Sequence, residues 1–161
     1  MKRFRCRTYS PQLSRPIGLD ARIPAALSFI VGAIAAWLNS FYFLAALVPL
    51  LILVFERESS MVRMAAAHAF VNGLVLSVLL LSGDIIHRQL FRTVMSSNFR
   101  DINLSIYETA MTAVVVIRQL LGWLMVALTA LQLWHIYFNT VWLMPLTGRL
   151  SERLADIIDR R

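Results

Sequence analysis

The sequence predicts an all-α, polytopic membrane protein with four membrane passes, the first two as a short hairpin, and amphipathic helices on its surfaces. Three observations lead there. Of its 161 residues 58% are apolar and the mean hydropathy is +0.66, whereas soluble domains are about 45–50% apolar. Asp, Glu, Lys and Arg are absent from residues 23–55, 64–83 and 119–148. The basic residues, which give a net charge of +7, are bunched at the ends of these stretches, as the positive-inside rule expects of a membrane chain.

The first 22 residues carry Lys2, Arg3, Arg5, Arg7, Arg15 and Arg22 and form a basic N-terminal segment expected on the cytoplasmic face. Residues 23–55 are too long for one pass, because 33 residues of helix measure about 50 Å against a hydrocarbon layer of about 30 Å. Asn39 and Ser40 sit at their centre among Trp37, Phe41, Tyr42 and Phe43, the composition of an interface belt, so the chain is expected to turn there. Two short helices are expected, over residues 23–38 and 41–55, with Pro49 kinking the second. Residues 64–83 make one pass of about 30 Å. Residues 84–95 put Ile86, Leu90, Phe91, Val94 and Met95 on one side and Arg88, Gln89 and Arg92 on the other, the pattern of a helix lying flat on the membrane. The last pass runs from Arg118 to Trp142 and stops at Met144 and Pro145. The membrane domain is thus residues 23–148, and residues 149–161 form an amphipathic cytoplasmic tail with Leu150, Leu154, Ile157 and Ile158 at helical spacing.

Charge supports four passes over the alternative of three. Four passes gather twelve Lys/Arg on the inner face and leave Arg88, Arg92, Arg100 and Arg118 outside; three passes divide them ten against six. The basic ends place the N-terminus inside. The basic segment is expected to meet anionic lipid headgroups. It lacks the interleaved aromatics and folded module of a nucleic-acid reader, so no nucleic acid is expected as a partner. The single cysteine, Cys6, has no second cysteine with which to bridge.

Polar residues within the apolar stretches are the candidate sites. Gln132, His135 and Asn139 fall on one helical stripe, and His68 and Asn72 are one turn apart. The two stripes, with Asn39 as a third contributor, can satisfy one another by interhelical hydrogen bonds, or line a water-filled path. His68 and His135 without a carboxylate in either pass are a poor ligand set, so no metal is expected. Small residues mark close packing: Gly32 with Ala36, and Ala65, Ala69 and Gly73 on one face, within the chain or between copies. No phosphate loop, His-Glu-x-x-His motif, nucleophile elbow or paired intramembrane carboxylate occurs, so neither an enzyme nor a cofactor is expected.

The turn from Phe55 through Val62 and Arg63, and the closing stretch with Met144, Pro145, Gly148, Arg149 and Glu152, resemble motifs of a family. It comprises small, largely uncharacterised prokaryotic membrane proteins related to the Tic-twenty-like component of the chloroplast protein-import apparatus. The likeness covers residues 23–155, and the chain departs from the pattern at Ala65, where the family usually has His, and at His68, where it has Gln or Glu. The resemblance implies a helical, translocon-like or scaffold subunit with no catalytic residue to carry over. Brevity, together with this likeness to a prokaryotic family, makes a bacterial inner membrane the expected home, an organelle membrane being the alternative. The expectation is a non-enzymatic subunit of a larger membrane assembly, in contact with other membrane proteins or with copies of itself. A small transporter or channel using the polar stripe is the alternative.

Overall fold

The structure is a computed structural model that describes residues 5–10, 13–14, 19–38, 42–56, 59–96, 104–144 and 147–159. In chain order the elements are β1 (Arg5–Thr8), β2 (Leu13–Ser14), β3 (Leu19–Asp20), α1 (Arg22–Leu38), α2 (Leu44–Phe55), α3 (Ser60–Ser96), α4 (Leu104–Tyr137), β4 (Thr140–Leu143) and α5 (Gly148–Asp159). Helix dominates, as the sequence predicts. The expected short hairpin is present as α1 and α2, 17 and 12 residues long, or about 26 and 18 Å.

Among the described residues, two helices are long and apolar enough to cross a membrane, through Ser60–Val94 and Tyr107–Tyr137. Their most apolar windows are only 28% and 11% buried inside the protein, whereas the core helix of a water-soluble protein would be mostly covered. Leu74, Val78, Leu120, Leu124 and Trp134 all point outward, so the protein presents an apolar belt to its surroundings. α1 and α2 fall short of the roughly 20 residues that a full crossing needs.

Two expectations are corrected. Residues 84–95 do not form a separate surface helix, because α3 runs unbroken for 37 residues to Ser96. Likewise α4 starts at Leu104, well before Arg118. The physical reason lies in a cross-helix ion pair, Arg118 Nη1 to Asp84 Oδ1 at 2.7 Å, with both side chains mostly buried. It couples α3 to α4 where each leaves its charge-free stretch, and Gly83 alone, whose cost within a helix is about 1 kcal/mol, does not break the helix. The other correction concerns strands. β1 pairs antiparallel with β4, Arg5 opposite Leu143 and Thr8 opposite Thr140, and β2 pairs with β3. The β1–β4 ribbon is invisible to local periodicity, since β1 finds its partner only after α4.

Packing divides into two buried clusters. One gathers Ala25, Phe29, Leu53, Met61, Val62, Ala65 and Ala69 with Val141, Leu143 and Ala155, so β4 and α5 are wedged against the first turns of α3. The other joins Ala35, Ala36, Ala45, Leu76 and Leu80 at the opposite end of the α1–α2 hairpin. There Trp37 meets Trp123 edge to face, with ring centroids 4.9 Å apart. Phe55 ends α2 and Glu56 Oε1 accepts from the Ser59 backbone N–H at 3.1 Å. Ser59 then caps α3, its Oγ accepting from the Val62 N–H at 3.3 Å.

α2 packs tightly on α3 at Gly73, beside a carbonyl that Pro49 deprives of its helical donor. Pro49 lies within α2 and has no N–H, so the carbonyl four residues earlier, on Ala45, loses its helical donor. That carbonyl lies against Gly73, where an added Cβ would collide with the backbone of Ala45 and Ala46. A Cα–H···O contact is the natural use of such an approach. Gly122 faces the Ala36 carbonyl less tightly, since a Cβ there would sit at 3.6 Å. Gly73→Ala should therefore lower stability by about 1–3 kcal/mol, the usual cost of overpacking, whereas Gly122→Ala should be neutral or stabilising. Thermal unfolding of the two variants in one mild detergent reads the difference, and equal midpoints would contradict the Pro49–Gly73 account.

Candidate functional site

Most of the polar side chains that the sequence singles out gather at one end of the bundle, where β1, β4, α5 and the start of α3 meet. The site is built from the end of α4. Asn139 has φ 54°, the left-handed conformation that Asn tolerates better than most residues. Its N–H donates to the Ile136 carbonyl at 2.9 Å and its own carbonyl accepts from the Tyr9 N–H at 2.9 Å. Asn139 Oδ1 accepts from Arg22 Nε at 2.9 Å. One residue thus ends α4, reverses the chain into β4, receives the segment after β1 and holds the first residue of α1.

His135 works on the same corner. The Thr140 hydroxyl donates to the His135 carbonyl at 2.8 Å while its oxygen lies 3.2 Å from His135 Nδ1. A carbonyl can only accept, so the hydroxyl proton is committed there and Nδ1–H is the donor to Thr140. Trp142 stacks on the imidazole at 6.2 Å. Gln132, fully buried, donates from Nε2 to the Trp142 carbonyl at 2.7 Å. These three residues hold β4 beneath the end of α4.

His68 and Asn72 on α3 bind the chain beyond β4. Asn72 Nδ2 donates to Met144 Sδ at 3.5 Å. His68, also fully buried, has Nδ1 3.1 Å from Ser151 Oγ. Ser151 Oγ in turn donates to the Thr147 carbonyl at 2.9 Å, so the same reasoning makes His68 Nδ1–H the donor and leaves Nε2 a bare acceptor. Glu152 joins from α5, 3.4 Å from Arg7 of β1. Among the described residues, His68 Nε2, Gln132 Oε1 and Thr147 Oγ1 are buried without a hydrogen-bond partner.

The expected bonds between the two stripes are therefore replaced. Gln132, His135 and Asn139 bond to chain on either side of the helices, and His68 and Asn72 bond to α5 and Met144; no bond joins one stripe to the other among the described residues. The reason is that β4 packs against both α3 and α4 at this end while α5 packs on α3, burying Val141, Leu143 and Ser151. Asn39 and Pro145 lie outside the described residues. Gly32 and Ala36 face α4, with Met125 the near neighbour of Gly32. Ala65, Ala69 and Gly73 are buried on α3, Val62 and Arg63 form its first turn, and Gly148 packs on Leu143 at the start of α5. Among the described residues no three His, Cys, Asp or Glu side chains come together in a way that could hold a metal ion.

Sequence reasoning missed Ser151, Thr140, Arg7 and the Asp84–Arg118 pair. Asn139 does carry a readable signal, since Asn just past an apolar helix is a stop residue. Ser151 and Arg7 carry none, because their partners lie far away in the chain. Comparison with protein-family models, with curated proteins and with solved structures gives no match, so the reading of this site rests on its own geometry.

The His68–Ser151 bond yields a test. Ser151→Ala strands a buried imidazole N–H at a cost of about 1–3 kcal/mol and should speed amide hydrogen exchange across α5. Adding His68→Leu removes the stranded donor and should restore part of the protection. Unchanged exchange in the single variant would show that α5 is held by other contacts.

Proposed function

We propose that this chain is a non-enzymatic integral membrane protein that acts as a subunit or scaffold of a larger membrane assembly, translocon-like in keeping with its resemblance. One observation carries the reading. The polar side chains in or beside the apolar helices, His68, Asn72, Gln132, His135 and Asn139, are committed to holding the chain's own terminal segments. Among the described residues, an apolar exterior and a pair of helical arms are left for other molecules. Beyond the Asp84–Arg118 pair, α3 continues to Ser96 and α4 begins at Leu104. These arms expose Ile85, Ile86 and Phe91 on one and Val115, Val116 and Ile117 on the other. Apolar surface outside the charge-free stretches is the kind that partner proteins cover.

Four passes, with α1 and α2 as the short pair, complete the proposal. Supporting it, β1 pairs with β4 and α5 packs on α3 near His68, so the N-terminal strand, the start of α3 and the tail share one end. An even number of crossings has that consequence. Between Arg118 and Tyr137, α4 holds no charge for about 28 Å, close to the hydrocarbon thickness, and a locally thinned bilayer would accommodate α1 and α2. The basic end then faces the cytoplasm of a bacterial inner membrane, in contact with anionic headgroups and with other membrane proteins or copies of the chain.

A second reading, a small transporter or channel, is favoured by the bare acceptors His68 Nε2 and Gln132 Oε1, which a polar solute or water chain could use. Substituting both residues by Leu separates the two. A scaffold keeps the proteins that co-elute with it after gentle detergent extraction, as mass spectrometry would show, whereas a conduit loses flux in reconstituted vesicles.

Topology is tested with single cysteines at positions 39, 40, 60 and 97 in a Cys6→Ser background. Four passes require 39, 40 and 97 to label from outside and 60 from inside. Labelling of 39 and 40 from the cytoplasmic face overturns the hairpin.

A further inference from the structure

Between α1 and α4 runs an open groove of about 380 Å³. Ile23, Leu27 and Ile30 line it from α1, and Leu133 and Ile136 from α4. Its walls are almost wholly apolar apart from one end, where Arg22 and Tyr137 meet. From Ile23 to Ile30 the groove extends about 10 Å along the helix, roughly two thirds of one leaflet of a 30 Å hydrocarbon layer. Arg22 stands at the end of the bundle that carries the basic N-terminal strand and the tail.

Arg22 is held in place before any ligand arrives. Its Nε donates to Asn139 Oδ1 at 2.9 Å, and its guanidinium carbon lies 6.0 Å from the Tyr137 ring centroid. The cap residue Asp20 accepts from the Arg22 backbone N–H at 3.0 Å and has Oδ2 3.9 Å from Nε. These contacts all use Nε, the backbone or the guanidinium face. Among the described residues, neither terminal Nη nitrogen has a hydrogen-bond partner. A planar guanidinium with its two outer nitrogens presented is matched to a phosphate.

We propose that this groove is a binding site for one anionic phospholipid, with an acyl chain between α1 and α4 and the phosphate on the Nη nitrogens of Arg22. The proposal rests on the membrane reading of the chain and is independent of whether it serves as a scaffold. Lipid is the occupant because an apolar groove open along its length beside an apolar exterior meets acyl chains first, and its one charged end is cationic. Asp20 beside Arg22 weakens the attraction for an anion, so the site is selective rather than tight.

The test uses the full chain in nanodiscs of equal phosphatidylglycerol and phosphatidylcholine, followed by gentle release and native mass spectrometry of retained lipid. The first retained lipid should favour phosphatidylglycerol by about five-fold, the worth of one arginine at an anionic surface. Arg22→Gln should return that ratio to the bulk composition, and Arg22→Lys should keep part of it. Ala26→Phe, which fills the groove from its α1 wall, should lower retention of both lipids. Inorganic phosphate in excess should displace neither. Enrichment that survives Arg22→Gln, retention that survives Ala26→Phe, or displacement by phosphate alone overturns the lipid site. Failure of the chain to enter nanodiscs is a separate result that overturns the membrane reading itself.

Discussion

The left-handed backbone of Asn139 reverses the chain at the end of α4, and the terminal segments depend on that turn. Without it, β4 would not lie beneath the bundle, β1 would have no strand to join, and α5 would not reach α3. The side chain reinforces what the backbone begins, because its Oδ1 holds Arg22 at the start of α1. A β-branched residue in that conformation would be strained, and Gly would keep the turn but lose the grip on Arg22. The choice of Asn therefore links local geometry to a contact 117 residues away in sequence.

Surrounding hydrocarbon gives little reward for bringing apolar helices together, so helix association depends on close packing and on polar contacts. This chain uses the two at different places. At the far end of the α1–α2 hairpin, glycine and alanine let backbones approach, most closely where Pro49 frees the Ala45 carbonyl and Gly73 receives it. At the base, His68, Gln132 and Asn72 reach segments that contribute hydroxyl, carbonyl and thioether acceptors. The proline that would weaken α2 alone thus becomes part of its attachment to α3.

The Asp84–Arg118 pair connects the packed region to the arms. Each charge ends an uncharged stretch, and pairing them levels α3 with α4 at that height. A mostly buried pair costs desolvation that its attraction only offsets with good geometry; at 2.7 Å the contact is charge-assisted and short. Register, more than stability, is what such a pair supplies. Past it the helices continue as arms that leave Ile85, Ile86, Phe91, Val115, Val116 and Ile117 exposed.

Apolar patterning alone determined the helical class, the break near residue 39 and the starts and ends of α1 and α2 to within a few residues, because helix length in an apolar chain is set by rise per residue and by where charges stop. It also marked the small residues at the helix contacts. Tertiary structure decided the rest. Whether residues 84–95 lie flat or continue α3 depends on Arg118, which periodicity within one segment cannot see. Which partner each buried polar group takes was equally hidden: His68 and Gln132 have the same hydrogen-bonding capacity towards each other as towards Ser151 and Trp142. The choice falls to the reversal at Asn139, since only after β4 and α5 have folded back onto the helices do those acceptors lie within reach.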